Sequence, residues 1–277
     1  MSEERVVSER VFGPLAVVLS SRRSRWLFGA ALLLFLASVP FAFGQYATVI
    51  MTNALLYVIL ALGLNIVVGY AGLLDLGYAA FFAVGAYSVG ILTLHFGVNF
   101  WLTLPVAVGM ATVAGVVIGG PTLRLRSDYL AIVTLGFGEI VRLSARNLPI
   151  TGRASGLSGI EQPWLFGWHI STPTDFYYVF CALAALAVFV SVRLANSRLG
   201  RAWLYVRHDE DVAEAMGIDR VRVKLAAYII GAIFGAVAGA FFAVNLGAIS
   251  PESFSFTQSV LILMAVIPRT AEWGADG

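Results

Sequence analysis

Residues 193–224 read RLANSRLGRAWLYVRHDEDVAEAMGIDRVRVK, a charged stretch set between two hydrophobic runs in a chain that is apolar almost everywhere from Trp26 onward. Charge at that density belongs in water, whereas the flanking runs are long and apolar enough to leave it, so the contrast points to a polytopic membrane protein. The inner part of the stretch reads as a short helix. Asp211 stands as an N-cap with Glu214 three residues on, the capping-box spacing, and Gly217 stands where a left-handed C-cap residue is wanted. Asp209 and Glu210 add negative charge that complements the helix dipole. Val212, Ala215 and Met216 then form a small apolar face. The loop gives that face no core, so it lies either back on the membrane part of the same chain or against a partner.

The wider composition agrees. The 277 residues are 59% hydrophobic and 12% charged, with a mean hydropathy of +0.86, far from the usage of a water-soluble domain. The net charge of +2 and isoelectric point near 8.8 come from arginines clustered in loops; they speak to membrane topology and give no reason to expect nucleic acid. Cys181 is a lone cysteine inside an apolar run and has no intrachain disulfide partner. Arg22, Arg23 and Arg25 precede the run 26–44, which is long enough to span and is read as a retained first helix following a cytoplasmic segment, 1–25.

Between Trp26 and Leu123 the only formally charged residue is Asp75. Gly and polar breaks divide this part into spans at 26–44, 47–69, 76–96 and 100–123, each near the roughly 20 residues that cross the hydrocarbon. The segment 129–143 is short, about 22 Å as a helix, and either borrows flanking residues to span or is re-entrant; we read it as spanning. After a Gly- and Pro-containing loop, 144–175, come spans at 176–194 and 225–246. A last apolar run, 260–267, is about 12 Å as a helix and cannot cross alone. The expected fold is therefore all-α, with about seven spanning helices plus a partial C-terminal one. The membrane domain covers 26–267, its polar loop 195–224, and an atypical tail comes after it at 268–277.

Arginines set the orientation. The N-terminal segment, Arg124 with Arg126, and the island from Arg198 to Lys224 all fall on one side, which the positive-inside rule makes cytoplasmic; Arg142, Arg146 and Arg153 on the other side weaken the asymmetry.

Several chemistries are missing. The single lysine, Lys224, is followed by Leu225, so no P-loop is present to hold a triphosphate. His95, His169 and His208 are scattered without partners at ligand spacing, which argues against a metal site. No nucleophile stands with a base, so an enzyme is not expected. Polar residues within the membrane domain have two readings each. Asp75, in GYAGLLDLGYAAFF, either caps a helix start at the interface, the reading we prefer, or lies on a transport path. Glu139 pairs with Arg142 or lines that path. Asn53, Asn65 and Asn245 tie helices together or meet a solute. Asn65, Asp75, Thr134, Glu139 and Asn245 are the path candidates. Gly231, Gly235 and Gly239 make a small-residue ridge that predicts close packing of the last full span. Ala80–Val84 recurs as Ala240–Val244, AFFAV in both, a weak internal echo.

Taken together, LNIVVGYAGLLDLGYAAFFAVGAYSVG at 64–90, LRLRSDYLAIVTLGFGEIVRL at 123–143 and SRLGRAWLYVRHDEDVAEAMGI at 197–218 closely resemble the LivM-type permeases of bacterial branched-chain amino acid ABC importers. The resemblance covers most of 46–264. It implies a cytoplasmic coupling helix, carrying a Glu-Ala and a following Gly, that docks in a groove on a nucleotide-binding subunit; Glu214, Ala215 and Gly217 match those positions, with Asp209, Glu210 and Asp211 leading into them. It also implies that ATP and Mg are bound by the partner ATPase and no cofactor by this chain, and that a second permease subunit and a periplasmic or lipid-anchored solute-binding protein take part, in the bacterial inner membrane. A urea or short-amide permease is the near alternative, and an ATP-independent secondary transporter the alternative of a different class. Two departures stand out. The family commonly has Thr-Gly-Gly where this chain reads Thr151-Gly152-Arg153. Where the family continues with a Leu-Gly-Gly turn, this chain reads Ile267-Pro268-Arg269, from which we expect a frameshifted or truncated gene product.

Overall fold

The computed structural model describes residues 22–122, 127–165 and 168–271. Long apolar runs dictate helices here, because a backbone without water must satisfy its own hydrogen bonds. Among the described residues nine α-helices occur in order: α1 (Arg22–Asn65), α2 (Ala79–Phe96), α3 (Phe100–Thr122), α4 (Ser127–Asn147), α5 (Pro173–Ala195), α6 (Arg198–His208), α7 (Glu210–Ala215), α8 (Arg220–Leu246) and α9 (Phe256–Ala271). The expected all-α membrane fold is what the chain adopts. Among the described residues, five stretches are long and apolar enough to cross a membrane: Ala42–Tyr70, Ala79–Phe96, Phe100–Gly120, Pro173–Ala195 and Arg220–Leu246.

α1 is broken at Gly44, whose φ of 74° and ψ of −178° are not helical, at the position where the first two spans were expected to part. Thr48 Oγ1 donates to the Gly44 carbonyl and closes the turn there. The chain divides into two units, Met1–Met51 and Thr52–Gly277; helices α2 to α9 all belong to the second. The expected segment 129–143 is one unbroken helix that gains residues at both ends: the 21 residues of α4 give about 31 Å, enough to cross. α9, with 16 residues, is about 24 Å long. α5 starts on a capping box in which Asp175 N–H donates to Thr172 Oγ1 and Thr172 N–H donates to Asp175 Oδ2. Residues 1–21 and 272–277, which include most of the expected N-terminal segment and tail, lie outside the described residues.

α8 is the most enclosed of the spans, and its small residues are the reason. A Cβ at Gly239 would sit 2.1 Å from the Phe82 carbonyl oxygen, and one at Gly231 would sit 2.5 Å from a Val67 methyl. From the other side, a Cβ at Gly85 of α2 would lie 2.1 Å from the Ala236 carbonyl. The Gly ridge thus brings α8 into backbone contact with α2, as small residues do in membrane proteins. The two AFFAV segments meet in this seam, with the Phe82 and Phe242 rings 4.9 Å apart and Phe254 5.1 Å from Phe82. Away from the seam, α3 exposes Leu102, Val106, Met110, Val113 and Val117 at helical spacing, a stripe that suits lipid and not water.

The loop after α4 holds three of the four short strands found among the described residues, and the fourth follows α8. Leu157–Ser158 pairs antiparallel with Ala248–Ile249, and Trp164–Leu165 with Trp168–His169. Arg153 has a φ of 56°, the only positive φ at a non-glycine among the described residues.

Candidate functional site

The charged stretch folds as three pieces: α6, the six-residue α7 and the start of α8. α7 begins two residues earlier than expected. Its N-cap is Asp209 and not Asp211: Asp209 Oδ1 accepts from the N–H groups of Asp211 and Val212 at 2.9 and 3.0 Å. Asp209 wins the position because His208 ends α6 and the chain turns extended at Asp209 (φ −155°, ψ 113°), the backbone that an N-cap requires. Glu214 therefore closes no capping box. Gly217 is at φ 83°, with Gly217 N–H donating to Glu214 O and Ile218 N–H to Ala213 O. That pair of bonds is a Schellman ending, as expected for a glycine there.

The apolar residues of α7 divide. Ala213 is fully buried, while Val212 is 55% and Met216 71% exposed and Ala215 is exposed as well. The face formed by Val212, Ala215 and Met216 does not lie back on the rest of the chain. The acidic residues stay largely exposed, Asp211 most of all, but stand within reach of basic residues on α8. Lys224 Nζ donates to Glu210 Oε1, and Arg220 of α8 stands 3.2 Å from Glu214, 3.6 Å from Asp211 and 3.8 Å from Glu210. α7 is thereby fastened by its charges to the first turns of α8 and presents its apolar side outward.

α6 is the other support. Trp203 is fully buried and its Nε1–H donates to the Val223 carbonyl of α8 at 2.8 Å. One turn on, Arg207 donates to the Gly69 carbonyl oxygen. Gly69 lies in a π-helical turn, Ile66–Tyr70, that continues α1. Sequence reading missed both residues; the tryptophan in a charged loop was the available signal.

Beyond that turn the chain runs without helix from residue 71 to 78, where a span start was expected. Gly72, at φ +70°, has no room for a Cβ because the Arg207 side chain packs over it. Asp75 is fully buried and Oδ1 accepts the Gly77 N–H at 2.8 Å; Oδ2 has no hydrogen-bond partner. This corrects the expectation of an interfacial helix cap, for α2 begins only at Ala79 and its first N–H groups are served from elsewhere. The Leu76 N–H donates to Thr134 Oγ1 of α4 at 3.1 Å, and the Ala79 N–H to Ser259 Oγ of α9 at 3.0 Å. A Cβ at Gly77 would lie 2.0 Å from the Thr134 carbonyl. Residues 71–78 thus form a strap, buried at Ala71, Leu73, Asp75, Gly77 and Tyr78 and exposed at Gly72 and Leu74, between the charged segment and helices α4 and α9.

The remaining path candidates are scattered. Glu139 pairs with Arg142 at 2.8 Å, and Glu252 reaches Arg142 and Arg146 at 3.4 and 3.7 Å, so Glu139 belongs to an ion-pair cluster. Asn65 lines a groove of about 370 Å³ with Tyr57, Ala61 and Val266. Asn245 is half-buried in the last turn of α8, and Asn53 is exposed. Only Asp75 and Thr134 are brought together. Among the described residues no cluster of His, Cys, Asp and Glu could hold a metal.

A family profile described as "Branched-chain amino acid transport system / permease component" matches residues 46–267. The chain is 43% identical over 265 residues to the high-affinity branched-chain amino acid transport system permease protein LivM of Escherichia coli K12, covering 87% of this chain and 62% of that one. It is 41% identical to the protein of the same name from Salmonella typhimurium, covering 94% and 67%, and 28% identical to a probable LivM of Methanocaldococcus jannaschii, covering 72% and 68%. The chain therefore spans about two thirds of the length of these relatives. No solved structure matches it significantly. With the profile over most of its length and 41–43% identity to these relatives, this chain is a multi-pass membrane protein that belongs to the branched-chain amino acid transport system permease family.

Proposed function

We propose that this chain is a transmembrane permease subunit of an ABC importer for branched-chain amino acids, driven by a separate ATPase subunit that docks on α7. One observation carries the proposal: a capped, charge-fastened helix whose apolar residues Val212, Ala215 and Met216 stand exposed. An amphipathic helix with an uncovered face fits a groove on another protein, in the helix-in-groove mode of recognition. No P-loop occurs in the sequence, so the energy comes from the partner, which would bind ATP and Mg. The charged segment and the N-terminus lie in the cytoplasm in this reading. A second permease subunit completes the pathway, and a separate solute-binding protein delivers the solute to the outer face of the inner membrane.

The geometry suits a lever. Glu210 ties α7 to the buried Lys224 of α8, with Glu214 reaching Arg220 at the surface, and the glycines of α8 fix it against α2. Of the path candidates, Asn65 in its groove keeps a transport role, while Asp75 and Thr134 hold the strap. The test is uptake of labelled leucine into proteoliposomes holding the assembled importer. Uptake that requires ATP and the ATPase subunit is expected. Uptake that persists without ATP would place the protein among secondary transporters.

A further inference from the structure

We infer that Arg207 is the positioning residue through which movement of the cytoplasmic segment reaches the membrane helices, with residues 71–78 as the moving strap. The inference rests on the proposed coupling role of α7 and names its route inward.

The π-helical turn Ile66–Tyr70 ends a membrane helix, where the last carbonyls lose their intrahelical donors. Ala71 N–H donates to Ile66 O and Leu73 N–H to Val67 O. The Gly69 carbonyl is served by Arg207 instead. A guanidinium at a helix C-terminus gains from the dipole as well as from the hydrogen bond. The methylenes of Arg207 pack on Gly72, where no Cβ fits, so the side chain grips the strap at its entry by its stem as well as its head. At its other end the strap is held by Thr134 of α4 and Ser259 of α9, with Gly77 pressed on the Thr134 carbonyl. α4 and α9 thus receive any displacement of residues 71–78.

Arg207 belongs to α6, which is fixed to α8 by the buried Trp203. α7 follows α6 through Asp209 alone and is fastened to the same first turns of α8. A push on the Val212–Met216 face therefore moves α6, α7 and the start of α8 together. Arg207 is the one side chain of that group, among the described hydrogen bonds and ion pairs, that reaches into the π-turn. It touches neither solute nor ATPase in this account; its effect passes through the strap.

Two measurements test this, one on the permease and one on the assembled importer, using Arg207→Met and Arg207→Lys. The first needs no ATPase: hydrogen exchange of the Leu76, Gly77 and Ala79 amides in detergent-solubilised permease. Arg207→Met is expected to speed that exchange by about tenfold, the size of one charge-assisted hydrogen bond, while the amides of α7 keep their rate and Arg207→Lys restores part of the protection. Unchanged exchange in Arg207→Met overturns the inference. The second is the ratio of solute imported to ATP hydrolysed. Arg207→Met is expected to keep the ATPase bound but lower that ratio by about tenfold or more, with partial recovery in Arg207→Lys. A wild-type ratio overturns the inference, and so does loss of ATPase binding in Arg207→Met, which would make Arg207 a docking residue. If the wild-type chain bound no ATPase, the proposed function would fall, and the exchange experiment would still decide the role of Arg207 in holding the strap.

Discussion

Lys224 Nζ and Glu210 Oε1 lie 2.5 Å apart, and Lys224 is only 4% exposed although it is the sole lysine of the chain. The pair closes α7 onto α8. Because the ammonium is buried and Glu210 is partly solvated, the two ends of the pair are unequal. Glu210→Gln leaves a charge without its counter-ion and is expected to cost about 1 to 3 kcal/mol, whereas Lys224→Met, which removes the buried charge, is expected to cost less. Thermal unfolding of the two variants in the same detergent checks the order; an equal loss in both would mean that the bond itself, and not the buried charge, sets the cost.

Gly239→Ala places a methyl carbon 2.1 Å from the Phe82 carbonyl and 2.9 Å from the Ala86 nitrogen. Backbone cannot give way as a side chain can, so α2 and α8 must separate, and we expect a loss of about 3 kcal/mol or more and little folded protein. Gly109→Ala, at a position in α3 with nothing within 4 Å, is the control and is expected to be neutral or to stabilise by up to about 1 kcal/mol. The yield of monodisperse protein in size-exclusion chromatography separates the two outcomes.

Arg153 holds a left-handed backbone at φ 56° between Gly152 and Gly156, themselves at 76° and 72°. Such a φ costs a residue with a Cβ about 1 kcal/mol and glycine almost nothing. Arg153→Gly is expected to raise the thermal midpoint, and Arg153→Val, β-branched in the same conformation, to lower it. A lower midpoint for the glycine variant would show that the arginine side chain contributes more than its backbone costs.

Much of this architecture was legible in the sequence because the membrane makes it so. Runs of about 20 apolar residues read directly as helices, Gly44 marked the first break, Gly217 the end of α7, and the Gly231–Gly235–Gly239 spacing the tight seam. What failed was local and depended on tertiary partners. Asp209 took the cap expected of Asp211 because α6 ended at His208, a boundary that no periodicity sets. Asp75 read as a helix cap, yet it takes the Gly77 N–H, before the helix starts, while the N–H groups of Leu76 and Ala79 go to Thr134 and Ser259, 58 and 180 residues away from their donors in sequence. Arg207 carried no local sign at all, since its partner is a backbone carbonyl on another helix. The outward face of Val212, Ala215 and Met216 was visible in the sequence, but whether the chain covered it was not.

The most direct test is the affinity of the permease for the ABC ATPase subunit that the proposed function calls for, a P-loop protein purified with it. Glu214 is unsuited to this test, because it stands 3.2 Å from Arg220 and changing it would also disturb how α7 is held. Val212→Glu and Met216→Glu change exposed residues only and are expected to leave the thermal midpoint of the permease within the small range typical of surface substitutions, about 0.5 kcal/mol either way. In the proposed account each weakens ATPase binding by about tenfold or more, the loss expected when an apolar anchor is replaced by a charge inside a groove. Undiminished affinity in both variants, with the fold intact, would contradict it.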